Sequence, residues 1–295
     1  MSTRSVLAAA VAVVCLGWVV GATDAAPVGG QPSLAAGPAS GFVPARNAGN
    51  ALAPLVSNLV WHGGPVMHAT TVVPVFWGSS WSGSTFRGDK ITGLDYLYSH
   101  VGGTPYLHTN FEYTDGSGHV GLGVSKGTDL NDWTGTPPNP PSTSQVLAEV
   151  SKVTGGHPVS NAYYPVYSTG RRGSAGYCAW HSSGTINGIR VQFGFFFTLD
   201  GDSGCDPRAP TNLGHSQGLS ALANVSGHEL SEMLTDPRLN AWYDRQGAEN
   251  SDKCAWTWHG LVTVGSQQWK IQGNWSNAAA NAGTGYANVG CIQTS

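Results

Sequence analysis

The residues best suited to chemistry lie in one segment, Ala221–Cys254, and centre on His228-Glu229-Leu230-Ser231-Glu232. Side chains four apart on a helix share a face, so His228 and Glu232 can direct two ligands at one metal ion. Glu229 stands about 100° round from His228, beside the place of a metal-bound water whose proton it can take. A third ligand has to come from outside the helix. Glu249 is the candidate, in the run Glu249-Asn250-Ser251-Asp252 just ahead of Cys254. Asp236, Asp244, Asp252, His181 and His259 are substitutes. Such a set implies hydrolysis by an activated water, with zinc the first divalent metal to consider. A carboxylate-rich donor set also suits calcium.

The helix that must carry these groups reads from about 212 to Leu234, where Asp236-Pro237 ends it. Leu219, Leu222, Ala223, Leu230, Met233 and Leu234 gather on one face, with His228 and Glu232 roughly opposite. Adjacent Ser226 and Gly227 weaken the helix but leave room for another chain to come close. A solvated polar face and a metal-free carboxylate pair are the alternatives to a metal site. The absence of Lys and Arg from Asn212 to Pro237 favours a cation as the partner of the two carboxylates.

Of the 295 residues only 11% are charged, while 41 are Gly and 11 are Trp, which suits a turn-rich exported protein. The net charge of −3 offers no basic stripe for nucleic acid. Arg4, the apolar run Val6–Val20 and the small residues through Ala26 read as a signal peptide over residues 1–26, too short for a stable membrane anchor. Secretion is therefore expected. Its removal takes Cys15 away and leaves Cys178, Cys205, Cys254 and Cys291. An even count in an exported chain implies two disulfides, and sequential pairing encloses one local unit in each loop. Residues 27–52 read as a disordered Pro/Gly/Ala-rich leader, followed by one globular domain over 53–295.

Within that domain Thr70–Gly78, Asn161–Ser168 and Gly188–Leu199 read as strands, with Pro74 arguing for an edge or a bulge in the first. Helical spacing appears in Ser82–Val101, and Ser142-Thr143-Ser144-Gln145 opens a short helix. The alternation predicts an α/β or α+β fold with a mixed sheet around the helix bearing His228, plus a β-rich C-terminal lobe from about 254. Trp256, Trp258, Trp269 and Trp275 in that lobe are either a polysaccharide-stacking platform or core bulk. Ser216, in Gly214-His215-Ser216-Gln217-Gly218, has nucleophile-elbow spacing without the preceding strand. His181, two residues beyond Ala179 and near Cys178, reads first as structural. His62 and His68 read as ordinary loop or edge residues.

His228–Glu232 resembles the zincin helix, with Glu232 where the second zinc-binding His stands. The longer string HELSEMLTDPRLNAWYDRQGAENSDKCAW resembles one found in secreted bacterial proteins. WHGGPVMHATTVVPVFWG and YCAWHS are similar to bacterial relatives of the plant phosphate-induced, Exordium-like proteins. The first likeness implies a metallopeptidase-like hydrolase with a peptide or protein substrate. The second implies an extracellular, non-catalytic protein whose cluster binds a structural cation or none; a carbohydrate-binding cell-wall protein is the reading that the C-terminal tryptophans offer.

Overall fold

The longest strands form where β-branched and aromatic residues are densest, at AYYPVYSTGR, YCAWHSSGTI and IRVQFGFFFT. A computed structural model describes residues 31–46, 57–208, 214–287 and 289–294. In chain order the elements begin with β1 (Leu34–Ala36), β2 (Ser40–Pro44), β3 (Val60–Trp61), β4 (Thr70–Val72) and β5 (Val75–Trp77). Three helices follow, α1 (Ser84–Arg87), α2 (Lys90–His100) and α3 (Pro105–His108). Next come β6 (Thr114–Asp115), β7 (Gly118–His119), β8 (Val124–Lys126), β9 (Leu130–Asp132) and α4 (Thr143–Val153). The long strands β10 (Ala162–Arg171), β11 (Tyr177–Ile186) and β12 (Ile189–Thr198) precede α5 (Gln217–Thr235). The chain closes with β13 (Trp242–Tyr243), β14 (Val262–Val264), β15 (Gln267–Trp269), β16 (Asn274–Trp275), α6 (Asn277–Asn281) and β17 (Cys291–Ile292).

Nine strands make one mixed sheet. β11 pairs antiparallel with β12, β12 runs parallel to β10, and β10 runs parallel to both β4 and β5. β8 and β9 extend that side in parallel, while β1 and β2 both lie antiparallel along β11 at the other side. Pro74 divides the run from Thr70 into β4 and β5, which are internal, so the edge position suggested by that proline is not what forms. The sheet accommodates it because the proline interrupts the strand where its missing N–H is not required.

Alternation along β11 sends His181 towards α5, and Gly184 towards Leu147 of α4 on the opposite face. The sheet is therefore covered on both sides. α4 starts with the expected capping box, Ser142 accepting from the Gln145 N–H while the Gln145 side chain accepts from that of Ser142. α5 is not amphipathic in use, since every residue from Gly218 to Thr235 is buried. β11 and β12 cover one flank, and the C-terminal segment covers another, with Gly227 so near Ile271 and Tyr106 Oη that a Cβ would lie 2.5 and 3.0 Å from them. This is the close approach that glycine permits, and it removes the solvated-face alternative for His228 and Glu232.

Two expectations need correction. The described part of the leader is not disordered: Leu34–Ala36 and Ser40–Pro44 are strands, and the compact unit starts at Pro32 and not near 53. Its order comes from backbone pairing with β11, which low apolar content does not forbid. Trp269 and Trp275, each 1% exposed, are core residues and cannot stack on a polysaccharide. Trp256 and Trp258 are half-buried and flank the Arg46 guanidinium. The signal peptide and Cys15 lie outside the described residues, among which no helix is long and apolar enough to cross a membrane.

Both disulfides have the sequential pairing, Cys178–Cys205 and Cys254–Cys291. The second closes a loop of 37 residues around the small β14–β15 and β16–β17 pairs. Replacing Cys254 and Cys291 together by Ala is expected to lower unfolding free energy by about 4 kcal/mol on chain-entropy grounds. Urea titration of both proteins measures the difference; midpoints that coincide would show that the bridge adds nothing.

Candidate metal and carboxylate centre

α5 and the loop after it build the site together. α5 begins at Ser216, whose Oγ accepts from the Leu219 N–H and donates to Asp89. Ser216 is thus a helix cap, which ends its candidacy as a nucleophile. At the other end Asp236 stops the helix and accepts from the Asn240 and Ala241 N–H groups at 2.6 and 2.7 Å. Asp244 accepts from the Gln246 and Ala248 N–H groups, and its other oxygen takes Lys253 Nζ at 3.0 Å. Two of the substitute ligands, Asp236 and Asp244, therefore shape the loop. They bring Glu249 and Asp252 back to α5, where the Asp252 N–H donates to Glu232 Oε1 at 2.9 Å.

Glu232 is the pivot. Its Oε1 is 2.9 Å from His228 Nε2, while Oε2 is 3.8 Å from His181 Nε2 on β11. Two sets of three donors lie within 4.8 Å of one another: His181, Glu229 and Glu232, and His228, Glu232 and Asp252. Glu249 belongs to neither set. Its oxygens sit 3.2 and 3.3 Å from His181 Nε2, and Oε1 accepts from Ser40 Oγ at 2.9 Å. The structure thus brings His228, Glu229, Glu232 and Glu249 into one cluster and adds His181 and Asp252, while leaving His259 beside Tyr286. His62 stacks on Tyr243, and His68 bonds to Asp115 and the His119 carbonyl.

The cluster is closed off from water. His228, Glu229 and Glu232 are 0% exposed, and only the Asp252 side chain, at 18%, reaches solvent. Both Glu229 oxygens, Glu232 Oε2, His181 Nδ1 and His228 Nε2 are buried without a hydrogen-bond partner. Unpaired buried polar atoms are rare and call for an explanation. Burial, followed by the charges of Glu232, Asp252 and Glu249, pushes Glu229 well above the ordinary carboxylate range. Burial and then Asp236 and Asp252 do the same to Glu249. Burial and Asp252 push Glu232 up to about 8, against the pull of His228. His181 moves down because burial outweighs the carboxylates around it.

Gln272 distinguishes the two imidazoles. Its amide nitrogen faces His228 Nδ1 at 2.8 Å and donates to the Ser251 carbonyl, while its oxygen accepts from the Trp256 N–H. Turning the amide over would break both backbone bonds, so Nδ1 remains the acceptor and the proton sits on Nε2, towards Glu232 and Asp252. Burial resists a charge on this ring, but Glu232 and Asp252 together raise its pKa to about 10. A second proton on Nδ1 would meet the Gln272 amide donor, so the hydrogen-bond geometry decides for the neutral ring. A metal bound at Nε2 would require the opposite tautomer. His181 turns Nε2 towards Glu249 and leaves Nδ1 without a partner, so no backbone bond fixes its tautomer.

His181 is the member of the cluster that the sequence least reveals. Its one signal is its odd-numbered place in β11, shared with Ala179, which only a known sheet turns into a direction. Comparison with protein-family models, with curated proteins and with solved structures gives no match.

Without a cation the raised carboxylates fix the sign of the pH dependence. Glu229, Glu232 and Glu249 hold protons in the folded state that unfolded glutamates release near about 4.3. Stability is therefore fully present below that value and declines as pH rises towards about 8, the folded value for Glu232. Each such group contributes up to about 1.4 kcal/mol per pH unit. His181, shifted down, acts in the opposite sense but is one group against three. In EDTA the melting temperature should fall between pH 5 and pH 8, and Glu229→Gln should flatten that slope. A melting temperature that is level or rising over this interval would mean that the three glutamates are already ionised in the folded protein.

Proposed function

We propose that this chain is a secreted, metal-dependent hydrolase of polypeptides, with the cation held by His181, Glu229 and Glu232. The observation that carries this reading is the set of unpaired, fully buried oxygens on Glu229 and Glu232, facing each other and His181 with no Lys or Arg ion-paired to them among the described residues. One divalent cation satisfies all of them. A ring nitrogen with two carboxylates is a donor set that zinc accepts, and the carboxylate share also admits a harder ion. The zincin likeness supports the reaction type, although the imidazole then comes from β11 and not from the helix motif.

The roles follow from position. The cation supplies Lewis acidity towards a water and a substrate carbonyl. Glu249 stands next to His181 outside the donor set; ionised once a bound cation offsets the neighbouring carboxylates, it would take the water's proton and return it to the leaving amine. His228, with Nε2 2.9 Å from Glu232 and 3.4 Å from Asp252, would sit behind the donor set beside both carboxylates, as outer-layer groups do around metal ligands. Extracellular residence is supported by the two disulfides and by the signal-like start of the chain.

Enclosure favours one alternative, a structural cation in a non-catalytic Exordium-like protein. Metal analysis and kinetics separate the two. The wild type should carry about one zinc-class ion per chain, and Glu232→Gln or His181→Ala should weaken metal binding at least roughly 10–100-fold, the loss usual even for outer-layer changes. Glu249→Gln should retain the metal but lose about 10²–10⁴ in turnover of a fluorogenic peptide. Equal metal content in Glu232→Gln and wild type removes the centre. Full activity in EDTA moves the chemistry to the carboxylates alone.

A further inference from the structure

We infer that the edge of β11 beside α5 is a groove for an extended polypeptide bound as an added antiparallel strand, and that residues 33–46 are its resident occupant. This rests on the hydrolase reading and names its substrate class and its regulation.

Residues 33–46 follow β11 along its whole length, from Leu34 opposite Ile186 to Pro44 opposite Tyr177. Their attachment is largely through backbone: the Gly37 N–H donates to the Ser183 carbonyl at 2.7 Å, and the Ala45 N–H to that of Gly176 at 2.8 Å. Backbone pairing at a sheet edge tolerates almost any sequence, which is how extended peptides are held by β-augmentation.

Over the cluster the strand departs from regular pairing. Val43 lies opposite Ala179 and Ser40 opposite His181, so β2 carries one residue more than β11 across this interval. The extra residue turns the backbone inward. Ser40 Oγ donates to Glu249. Gly41, at φ +53°, lies flat against the donors: a Cβ there would overlap Glu232 Oε2 and come within 2.6 Å of His181 Nε2. A peptide group with no side chain thus rests where the metal-binding atoms converge. The strand also caps Glu249, the group assigned to move the proton.

A cleft of about 390 Å³ beside the strand, bordered by Phe42, Tyr177, Gly247 and Asp252, opens this path to solvent. Phe42 is 42% exposed and meets Tyr177 edge-on at 5.0 Å. The occupant is held by backbone pairing, by Val43 and Ala45 buried in the core and by the Ser40 and Gly41 contacts, with the large apolar side chain of Phe42 left outside. Such a segment closes the site until it is lifted or cut, and a substrate strand would take its place.

The test uses the full chain carrying Gly41→Leu, which cannot seat its own strand, and a fluorescent peptide of residues 33–46. The peptide should bind this variant but not the wild type, and amide exchange along Tyr177–Ile186 should be fast in the variant and slow again once peptide is added. A peptide that itself carries Gly41→Leu should bind at least roughly tenfold more weakly, since overpacking a filled contact is strongly unfavourable. If the variant does not fold, wild-type protein nicked between Arg46 and Ser57 replaces it, with exchange of labelled peptide as the readout. Failure of the peptide to bind either protein, or equal binding of the two peptides, overturns the groove. Binding with these preferences but without peptide hydrolysis upholds the groove and removes the catalytic reading alone.

Discussion

Carboxyl groups buried without a Lys or Arg partner are the constraint on which this structure turns. Glu229, Glu232 and Glu249 are packed with two imidazoles beneath a sheet, and none makes an ion pair with Lys or Arg among the described residues. Isolated carboxylates cannot stay ionised in such a place; they take up protons or bind a cation. Each supporting feature makes sense as an answer to that constraint. The Asp252 N–H reaches Glu232, Ser40 reaches Glu249, and His228 keeps its proton facing the carboxylates because Gln272 occupies its other nitrogen.

The scaffold around the cluster is correspondingly polar where a core would ordinarily be apolar. Ser226 joins Tyr167 and Tyr98 in a chain of hydroxyls, each link 2.8 Å, behind α5. Asn274 bonds to Ser231, Thr109 and Ser251, which ties the C-terminal segment to the helix. The segment after Cys254 is thus no independent lobe. It supplies a wall of the site, and the Cys254–Cys291 bridge holds that wall beside Asp252. Networks of this kind fix one arrangement when every member is satisfied. The atoms left unpaired there include both Glu229 oxygens and Glu232 Oε2, which the proposed cation would take, and His228 Nε2, which it would not.

What the sequence reveals follows from the range of the interaction involved. His228 and Glu232 share a helix face by local geometry, and the cysteines pair by number and spacing, so both are legible. The string from Asp236 to Asp252 is legible as important but not in its roles: Asp236 and Asp244 bind backbone amides, while Asp252 joins His228 and Glu232. His181 is no more than a spare ligand in the sequence, because its direction depends on how β11 lies against α5. The strand Ser40–Pro44 is invisible to composition, since its order is borrowed from the edge of β11. Trp269 and Trp275 give no sign in sequence of which face they present.

Gly41 links the carboxylate cluster to the edge of β11. A permanent structural cation needs no glycine above it; a side chain there could shield it equally well, provided the backbone stood further off. Here the backbone is brought in by an extra residue and a left-handed φ until no side chain fits. Close approach of a bare peptide unit is what a hydrolytic centre requires of its substrate, because attack on a carbonyl needs reacting atoms within about 3–3.5 Å. The same contact, made by a segment of the chain itself, excludes water and other polypeptides. Burial of the carboxylates is therefore compatible with the proposed hydrolysis, as the arrangement expected with the proposed cover in place.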